Sequence, residues 1–194
     1  MRNPKANQHG KVPVDNTPMP AAPMRYNDDG SVAWDSMWDS FCALAIDGGP
    51  PHRGTVLQPA PLPPDSPSHA IADYDRVVAE IVRGIALVSG LSAYAAKPGW
   101  VGVMCESAGM ACWLAEAINA ENVQASYEGK TLFVPAGDAW ETKYEIKNVV
   151  TAVAKTTHYW QAHVQNELKQ TLELEATISH AWKKIRTAIN PRAT

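Results

Sequence analysis

Apolar side chains recur at the spacing of an α-helix along most of this 194-residue chain. The pattern predicts an amphipathic helix over residues 34–47, which carries two tryptophans, and a longer helix over residues 68–92. It then continues from residue 141 to residue 189 without a glycine or a proline. The chain is therefore expected to be mostly helical.

The C-terminal stretch is too long to form one helix inside a body of this size. At 1.5 Å per residue, residues 141–189 would span about 74 Å as a single helix. A body of about 160 residues is only about 40 Å across. We therefore expect either a break near Thr156 and Thr157, which gives a helical hairpin, or a long helix that projects and pairs with another chain.

Three short runs between the helical stretches have the composition of β-strands. They cover residues 100–104, 123–127 and 131–134, and a turn at residues 128–130 separates the last two. A helix that begins after Ser107 joins the first run to the second. We therefore predict an α/β (α+β) fold, in which helices cover a small three-stranded sheet.

A proline-rich segment at the N-terminus defines the first predicted domain boundary. Residues 1–33 hold five prolines among small and polar residues, with too few large apolar side chains to offset the entropy lost on ordering. They are predicted to form a flexible arm, or alternatively a strap along a neighbouring subunit. Residues 34–139 would then form the α/β body, and residues 140–190 the long C-terminal helix or helical hairpin.

The charge is small overall and unevenly distributed. A net charge of −3 gives no reason to expect nucleic acid or an anionic membrane as a partner. Residues 34–139 carry seven more acidic than basic residues, whereas residues 140–194 carry three more basic than acidic residues. An acidic body with a basic tail favours self-association or a partner docked along the tail, and we expect a homo-oligomer.

The number of cysteines and the N-terminal sequence both indicate a cytoplasmic location. Three cysteines are an odd number in a chain of ordinary length, which does not fit a disulfide framework. The first residues show no apolar core of a signal peptide, and no apolar run reaches the roughly 20 residues of a membrane span. We therefore expect a cytoplasmic protein.

One candidate binding site is the loop at residues 48–54, with the sequence Gly-Gly-Pro-Pro-His-Arg-Gly. Glycines allow unusual backbone angles and prolines stiffen the path, so the loop is expected to have a defined shape. Arg53 and the amide of Gly54 can then hold a phosphate or carboxylate, with His52 beside them. Alternatively, the loop is only a tight connection in which Arg53 pairs with an acidic neighbour. Its spacing matches neither a Walker A loop nor a dinucleotide fingerprint.

The second candidate site follows the first predicted strand. Ser107 is placed to cap the next helix, which leaves the amides around Gly109 open to an anion. A thiol at Cys105 that points toward this helix start has a lowered pKa and can act as a nucleophile, with Glu106 as proton carrier. Alternatively, Cys105 only fills space in the core. The polar segment at residues 145–148 is a third stretch with reactive or charged side chains. Together with the loop at residues 48–54 and with residues 105–107, it is expected to contribute to a functional pocket.

A metal site would gather His52, Cys42 and His158, but these residues show none of the spacings of known zinc motifs. His158 and His163 are five residues apart and are not expected to share a helix face. The sequence therefore gives a metal site little support, and it identifies no cofactor.

The residues support three hypotheses for function. The first is a cytoplasmic oligomer that binds a small anionic ligand or metabolite at the loop with His52 and Arg53 and at the helix start after Cys105. The second is a small thiol- or metal-dependent enzyme that uses Cys105 with His52 or His158 as base. The third is a scaffolding protein that assembles through its long C-terminal helix.

Overall fold

A computed structural model describes residues 24–38 and 56–189, with side chains as far as residue 179. Residues 34–38 are helical. The helices that follow are α1 (Ser68–Ser89), α2 (Ala108–Ala120), α3 (Lys147–Ala162) and α4 (Asn166–Ile189), with a π-helical turn at Thr142–Ile146 before α3. The strands are β1 (Ala93–Ala95), β2 (Trp100–Met104), β3 (Ser126–Glu128) and β4 (Thr131–Pro135). The prediction of a mostly helical α+β fold is confirmed.

The sheet in the described ranges has four strands, whereas the sequence predicted three. Their order is β1-β2-β4-β3, and all neighbouring pairs are antiparallel. The additional strand, β1, is only three residues long, so it offers no alternation of apolar and polar residues that a pattern could detect. β1 can therefore be recognised only from its pairing with β2 in the structure.

The second predicted strand is displaced along the chain. β3 covers Ser126–Glu128 rather than residues 123–127. Val123 instead forms an isolated parallel bridge with Leu57, which comes from the proline-rich connector. A tight turn, in which Gly129 has a φ of +55°, joins β3 to β4. The apolar Val123 thus anchors the connector and does not extend the sheet.

The sheet has one face in the core and one face toward solvent. The inward side chains of the two central strands are fully buried: Val101, Val103, Leu132 and Val134. On the outer face the Tyr94 ring lies over Gly102, where a Cβ atom would come within 2.6 Å of the ring. Gly102 therefore makes room for the aromatic side chain that holds β1 against β2.

The start of the first predicted helix lies in the core. Trp34 is fully buried, and its Nε1 donates a hydrogen bond of 2.8 Å to Glu80 Oε1 on α1. α1 approaches α3 closely at Gly84, where a Cβ atom would come within 2.7 Å of Val150 Cγ2 and 3.1 Å of Trp34 Nε1. Residues 39–47 of the predicted helix lie outside the described residues.

The last part of the predicted arm packs against the body. Tyr26 forms a bridge with Val32, which is buried in the core. Arg83 Nη2 on α1 donates a hydrogen bond of 2.8 Å to the Val32 carbonyl oxygen. The end of the predicted arm is therefore held to the body at Val32 and Ala33, whereas residues 25–30 are exposed. Residues 1–23 lie outside the described residues, and the flexible arm stays a prediction there.

The C-terminal stretch divides into two helices, and the break falls later than predicted. Residues 163–165 separate α3 from α4, and α4 then packs mainly against α2. At the predicted break, Thr156 Oγ1 donates to the Ala152 carbonyl oxygen within the same helix. Such a bond lets a threonine remain inside a helix, so the prediction of a break at Thr156 and Thr157 is wrong.

Candidate functional site

The predicted site residues fall into two groups in the structure. Four lie outside the described residues, so the predicted loop site stays a prediction: Cys42, His52, Arg53 and Gly54. Four others lie together where β2 leads into α2: Cys105, Glu106, Ser107 and Gly109. The remaining residue, His158, is on α3. Because the sheet is antiparallel, the rule that ligands bind at the carboxyl ends of parallel strands does not apply to this turn.

Cys105 is buried at the end of β2, with 5% of its surface exposed. Burial, with a smaller contribution from the charge of Glu106, raises the pKa of the thiol to about 12. This is the opposite of the direction expected for a thiol that points toward a helix start. The Cys105 thiol is therefore protonated at neutral pH, and the geometry favours its alternative role as a core residue.

Ser107 caps α2 as predicted, because its Oγ accepts a hydrogen bond of 3.1 Å from the Met110 N–H. The neighbouring Gly109 N–H donates a hydrogen bond of 2.7 Å to Glu173 Oε2 on α4. A Cβ atom at Gly109 would come within 2.7 Å of the Glu173 backbone nitrogen. The start of α2 is thus in direct contact with α4.

The electrostatics of this contact match those of an anion at a helix start. The Gly109 N–H is the largest cause that lowers the pKa of Glu173, followed by the hydrogen bond to Ser107. The charge of Lys130 lowers this pKa further. In this structure the predicted anion position therefore holds a carboxylate of the chain itself, which joins α4 to α2.

The Glu173 contact predicts a pH-dependent contribution to stability. We expect Glu173→Gln to lower the free energy of unfolding at pH 7 by about 1 kcal/mol, because a charged acceptor at a helix start is lost. Since folding lowers the pKa of Glu173, its contribution is present above the unfolded pKa of about 4.3 and disappears as the pH falls through the folded pKa. Urea unfolding of the variant and the wild type from pH 7 to pH 3 measures the difference.

The matched control for this prediction is Glu175→Gln, which removes an exposed carboxylate from the same helix. We expect it to change stability by less than about 0.5 kcal/mol at any of these pH values. Equal effects of the two substitutions would contradict the role of Glu173.

A second cluster of polar side chains lies on α3, along one side of the helix. At 100° per residue, five of its residues fall within about 100° of arc: Lys147, Asn148, Thr151, Lys155 and His158. We call this side the polar face of α3. The opposite side carries Val149, Val150 and Val153, which are fully buried. The polar face is also largely buried, since Lys147 is 5% exposed and Thr151 is 0% exposed.

Two oxygen atoms of the polar face have no hydrogen-bond partner among the described residues. They are Asn148 Oδ1 and Thr151 Oγ1, which lie one helical turn apart. A buried polar group without a partner costs about 1–3 kcal/mol, so native proteins keep few of them. Burial also lowers the pKa of Lys147, because desolvation disfavours its charged form.

The sequence points to the polar segment at residues 145–148 but not to Thr151. A threonine within an apolar run is usually read as part of the core. The signal that could have identified it is the spacing from Lys147, since residues four apart in a helix lie on the same face. Neither the burial of Thr151 nor its missing partner can be recognised before the neighbouring elements are in place.

His158 lies in an aromatic environment. Its ring is 5.4 Å from the Trp38 ring and 5.4 Å from the His163 ring, measured between centroids. The two histidines do not share a helix face, because α3 ends at Ala162 and His163 follows it, but their rings are in contact. Within the described part of the chain, no three His, Cys, Asp or Glu side chains gather where they could hold a metal ion. The predicted metal site with Cys42 and His52 gains no support from His158.

No protein-family model, curated protein or solved structure matches the chain significantly. Among the helices of the described ranges, none is both long and apolar enough to cross a membrane.

Proposed function

We propose that the protein binds a small anionic metabolite at the polar face of α3. The observation that carries the proposal is a pair of buried oxygens, Asn148 Oδ1 and Thr151 Oγ1, that lie one turn apart beside buried Lys147 and have no hydrogen-bond partner in the part of the chain that the structure describes. A bound ligand that hydrogen-bonds to both oxygens would remove their desolvation cost. Because native folds keep few buried polar groups without partners, these two oxygens call for a partner that the described residues do not supply.

The donor and acceptor properties of these side chains define the class of ligand. Burial disfavours the charged form of Lys147, so a carboxylate or a phosphate beside it would stabilise the ammonium group that burial otherwise disfavours. Asn148 Oδ1 only accepts hydrogen bonds, so the ligand must also present a donor such as a hydroxyl or an amine. Thr151 Oγ1 can donate and accept. The side chains therefore fit a hydroxy- or amino-substituted carboxylate or phosphate.

This proposal keeps the ligand class of the first hypothesis but moves the site to α3. The start of α2 is left out, because the Gly109 N–H already has Glu173 as its acceptor. The loop with His52 and Arg53 lies outside the described residues, and its part in anion binding stays a prediction. A thiol mechanism is not included, because the pKa of Cys105 leaves the thiol protonated.

The test uses two matched variants, Thr151→Val and Thr157→Val. Both threonines are buried and have a hydroxyl without a partner among the described residues. Thr151 is on the polar face, whereas Thr157 lies on another side of α3. Thermal unfolding is measured with inorganic phosphate, malate, serine and glycerol 3-phosphate. A ligand at 100 times its Kd adds about 2.7 kcal/mol of stability.

We expect at least one of these compounds to raise the Tm of the wild type and of Thr157→Val. The increase should be reduced or absent in Thr151→Val, since that variant has lost a ligand contact. An increase that is equal in all three proteins would contradict the site, and so would the absence of an increase with every compound.

Without ligand, Thr157→Val is expected to stabilise the protein by about 1 kcal/mol. The substitution removes an unpaired buried hydroxyl while keeping the branched shape of the side chain. For a chain of this size, this corresponds to an increase in Tm of about 2–4 °C. A decrease in Tm would show that the Thr157 hydroxyl has a partner, for example an ordered water molecule.

A further inference from the structure

A groove of about 300 Å³ lies where the proline-rich connector, α1 and the turn between β1 and β2 meet. The residues that line it are Leu62 from the connector, Tyr74, Asp75 and Val78 from α1, and residues 95–98 and Trp100 from the turn. Its volume is at the lower end of the range for small-molecule sites. Since none of the described residues of α3 lines the groove, it is separate from the polar face of α3.

The three walls of this groove are joined to one another at Gly99. The Gly99 N–H donates a hydrogen bond of 2.7 Å to Tyr74 Oη, which ties the turn to α1. Gly99 adopts a φ of +81°, and a Cβ atom there would come within 3.1 Å of Pro59 Cβ and of Pro61 Cδ. The connector therefore packs closely against the turn. Because these contacts hold the walls in place, the groove is already formed before a ligand binds, as is usual for small-molecule sites.

Two opposite charges line the groove beside apolar side chains. Asp75 supplies a carboxylate and Lys97 an ammonium group, and neither takes part in the ion pairs of the described residues. Lys97 Nζ lies 5.3 Å from the centroid of the Trp100 ring, and this cation–π contact keeps the ammonium group next to the groove. Leu62, Val78 and the Trp100 ring supply apolar surface. The groove therefore combines an acid, a base and an apolar wall.

The Tyr74 hydroxyl adds a hydrogen-bond donor to these groups. A phenol can accept one hydrogen bond and donate another. Tyr74 Oη accepts from the Gly99 N–H, so this bond does not use the proton of the hydroxyl. The same side chain that fixes the turn can therefore donate to a carboxylate in the groove.

We propose that this groove binds a free apolar α-amino acid, such as leucine or phenylalanine. The ammonium group of the ligand pairs with Asp75, and its carboxylate pairs with Lys97 and accepts a hydrogen bond from the Tyr74 hydroxyl. The apolar side chain of the ligand lies against Val78 and Trp100, where it is removed from water. A simple anion or cation would match only one of the two charges, whereas a zwitterion matches both. This inference does not depend on ligand binding at the polar face of α3.

The first test titrates the full-length protein with leucine and follows the amide signals in two-dimensional NMR spectra. We expect the signals of residues 95–100 to shift. Leucinamide and isocaproate each lack one of the two charges of leucine, so both are expected to bind about tenfold more weakly. Equal binding of the three compounds, or shifts confined to other parts of the chain, would overturn the proposal. The absence of shifts with both leucine and phenylalanine at millimolar concentrations would do the same.

The second test measures the affinity for leucine in matched variants by the same titration. Asp75→Asn and Lys97→Met each remove one exposed charge from the groove and are expected to weaken binding about tenfold. The controls Asp73→Asn and Lys143→Met remove exposed charges outside the groove and should leave the affinity unchanged. Thr151→Val should also leave it unchanged, which separates this site from the polar face of α3. An equal loss of affinity in the groove variants and the controls would overturn the proposal.

Discussion

Replacing Trp34 with alanine is expected to lower the free energy of unfolding by about 3–5 kcal/mol. The Trp34 ring is fully buried and lies against α1 next to Gly84. Its removal leaves a cavity, and Glu80 Oε1 loses the hydrogen bond from Trp34 Nε1. Because single domains have a total stability of about 5–15 kcal/mol, this one substitution removes a large part of it. Urea unfolding at 25 °C measures the loss.

The control for this substitution is Trp34→Phe, which keeps most of the buried ring but not the N–H donor. We expect it to cost about 1–2 kcal/mol, since Glu80 retains its ion pair with Arg83 at 2.7 Å. A loss below about 1 kcal/mol for Trp34→Ala would contradict the packing of residues 34–38 against α1.

Replacing Lys155 with methionine is expected to cost about 3 kcal/mol. Lys155 Nζ lies 2.6 Å from Glu121 Oε1, and the two side chains are only 12% and 15% exposed. Glu121 directly follows α2, where the negative end of the helix dipole disfavours a carboxylate. The substitution leaves this carboxylate nearly buried without its lysine partner, and such losses cost about 3–5 kcal/mol.

Two further variants distinguish the effect of this largely buried ion pair on stability from that of an exposed ion pair. The double variant Lys155→Met/Glu121→Gln should recover most of the loss, because no buried carboxylate remains. Arg76→Met, which breaks an exposed pair with Asp73, should change stability by less than about 0.5 kcal/mol. If Lys155→Met cost no more than Arg76→Met, the Lys155 pair would have no special role in fixing α3.

Both substitutions affect the packing around α3. Trp34 packs against α1 at Gly84, where α1 also approaches α3, and Lys155 joins α3 to the end of α2. α3 carries Asn148 and Thr151, so its position decides where their unpaired oxygens lie. Variants that weaken either contact are therefore also expected to weaken any ligand response at the polar face of α3.

The long helices could be predicted from the sequence because each helix buries a stripe of regularly spaced apolar residues. The helix predicted over residues 68–92 is α1, and it ends at Gly90, which adopts a φ of +70°. The Ser107 cap was also predictable, because its Oγ bonds to an amide only three residues away. Both features depend on interactions between neighbours in the chain, which periodicity and residue type record.

Contacts between distant residues could not be predicted in the same way. β1 exists because Tyr94 pairs across the sheet with Gly102, and a run of three residues carries no pattern of its own. Glu173 reaches the start of α2 from 64 residues further along the chain. A sequence records that this helix start favours an anion, but not that the chain itself supplies one.

The sequence by itself determined the α+β class, the places of α1 and α2, and the helical nature of the C-terminal stretch. Local periodicity and capping are sufficient for these features because they act over one or two helical turns. Only the tertiary structure decided that Cys105 is buried, that Glu173 joins α4 to α2, and that Thr151 has no hydrogen-bond partner among the described residues. Burial and hydrogen bonding depend on which elements come together in space, and a linear pattern does not contain that information.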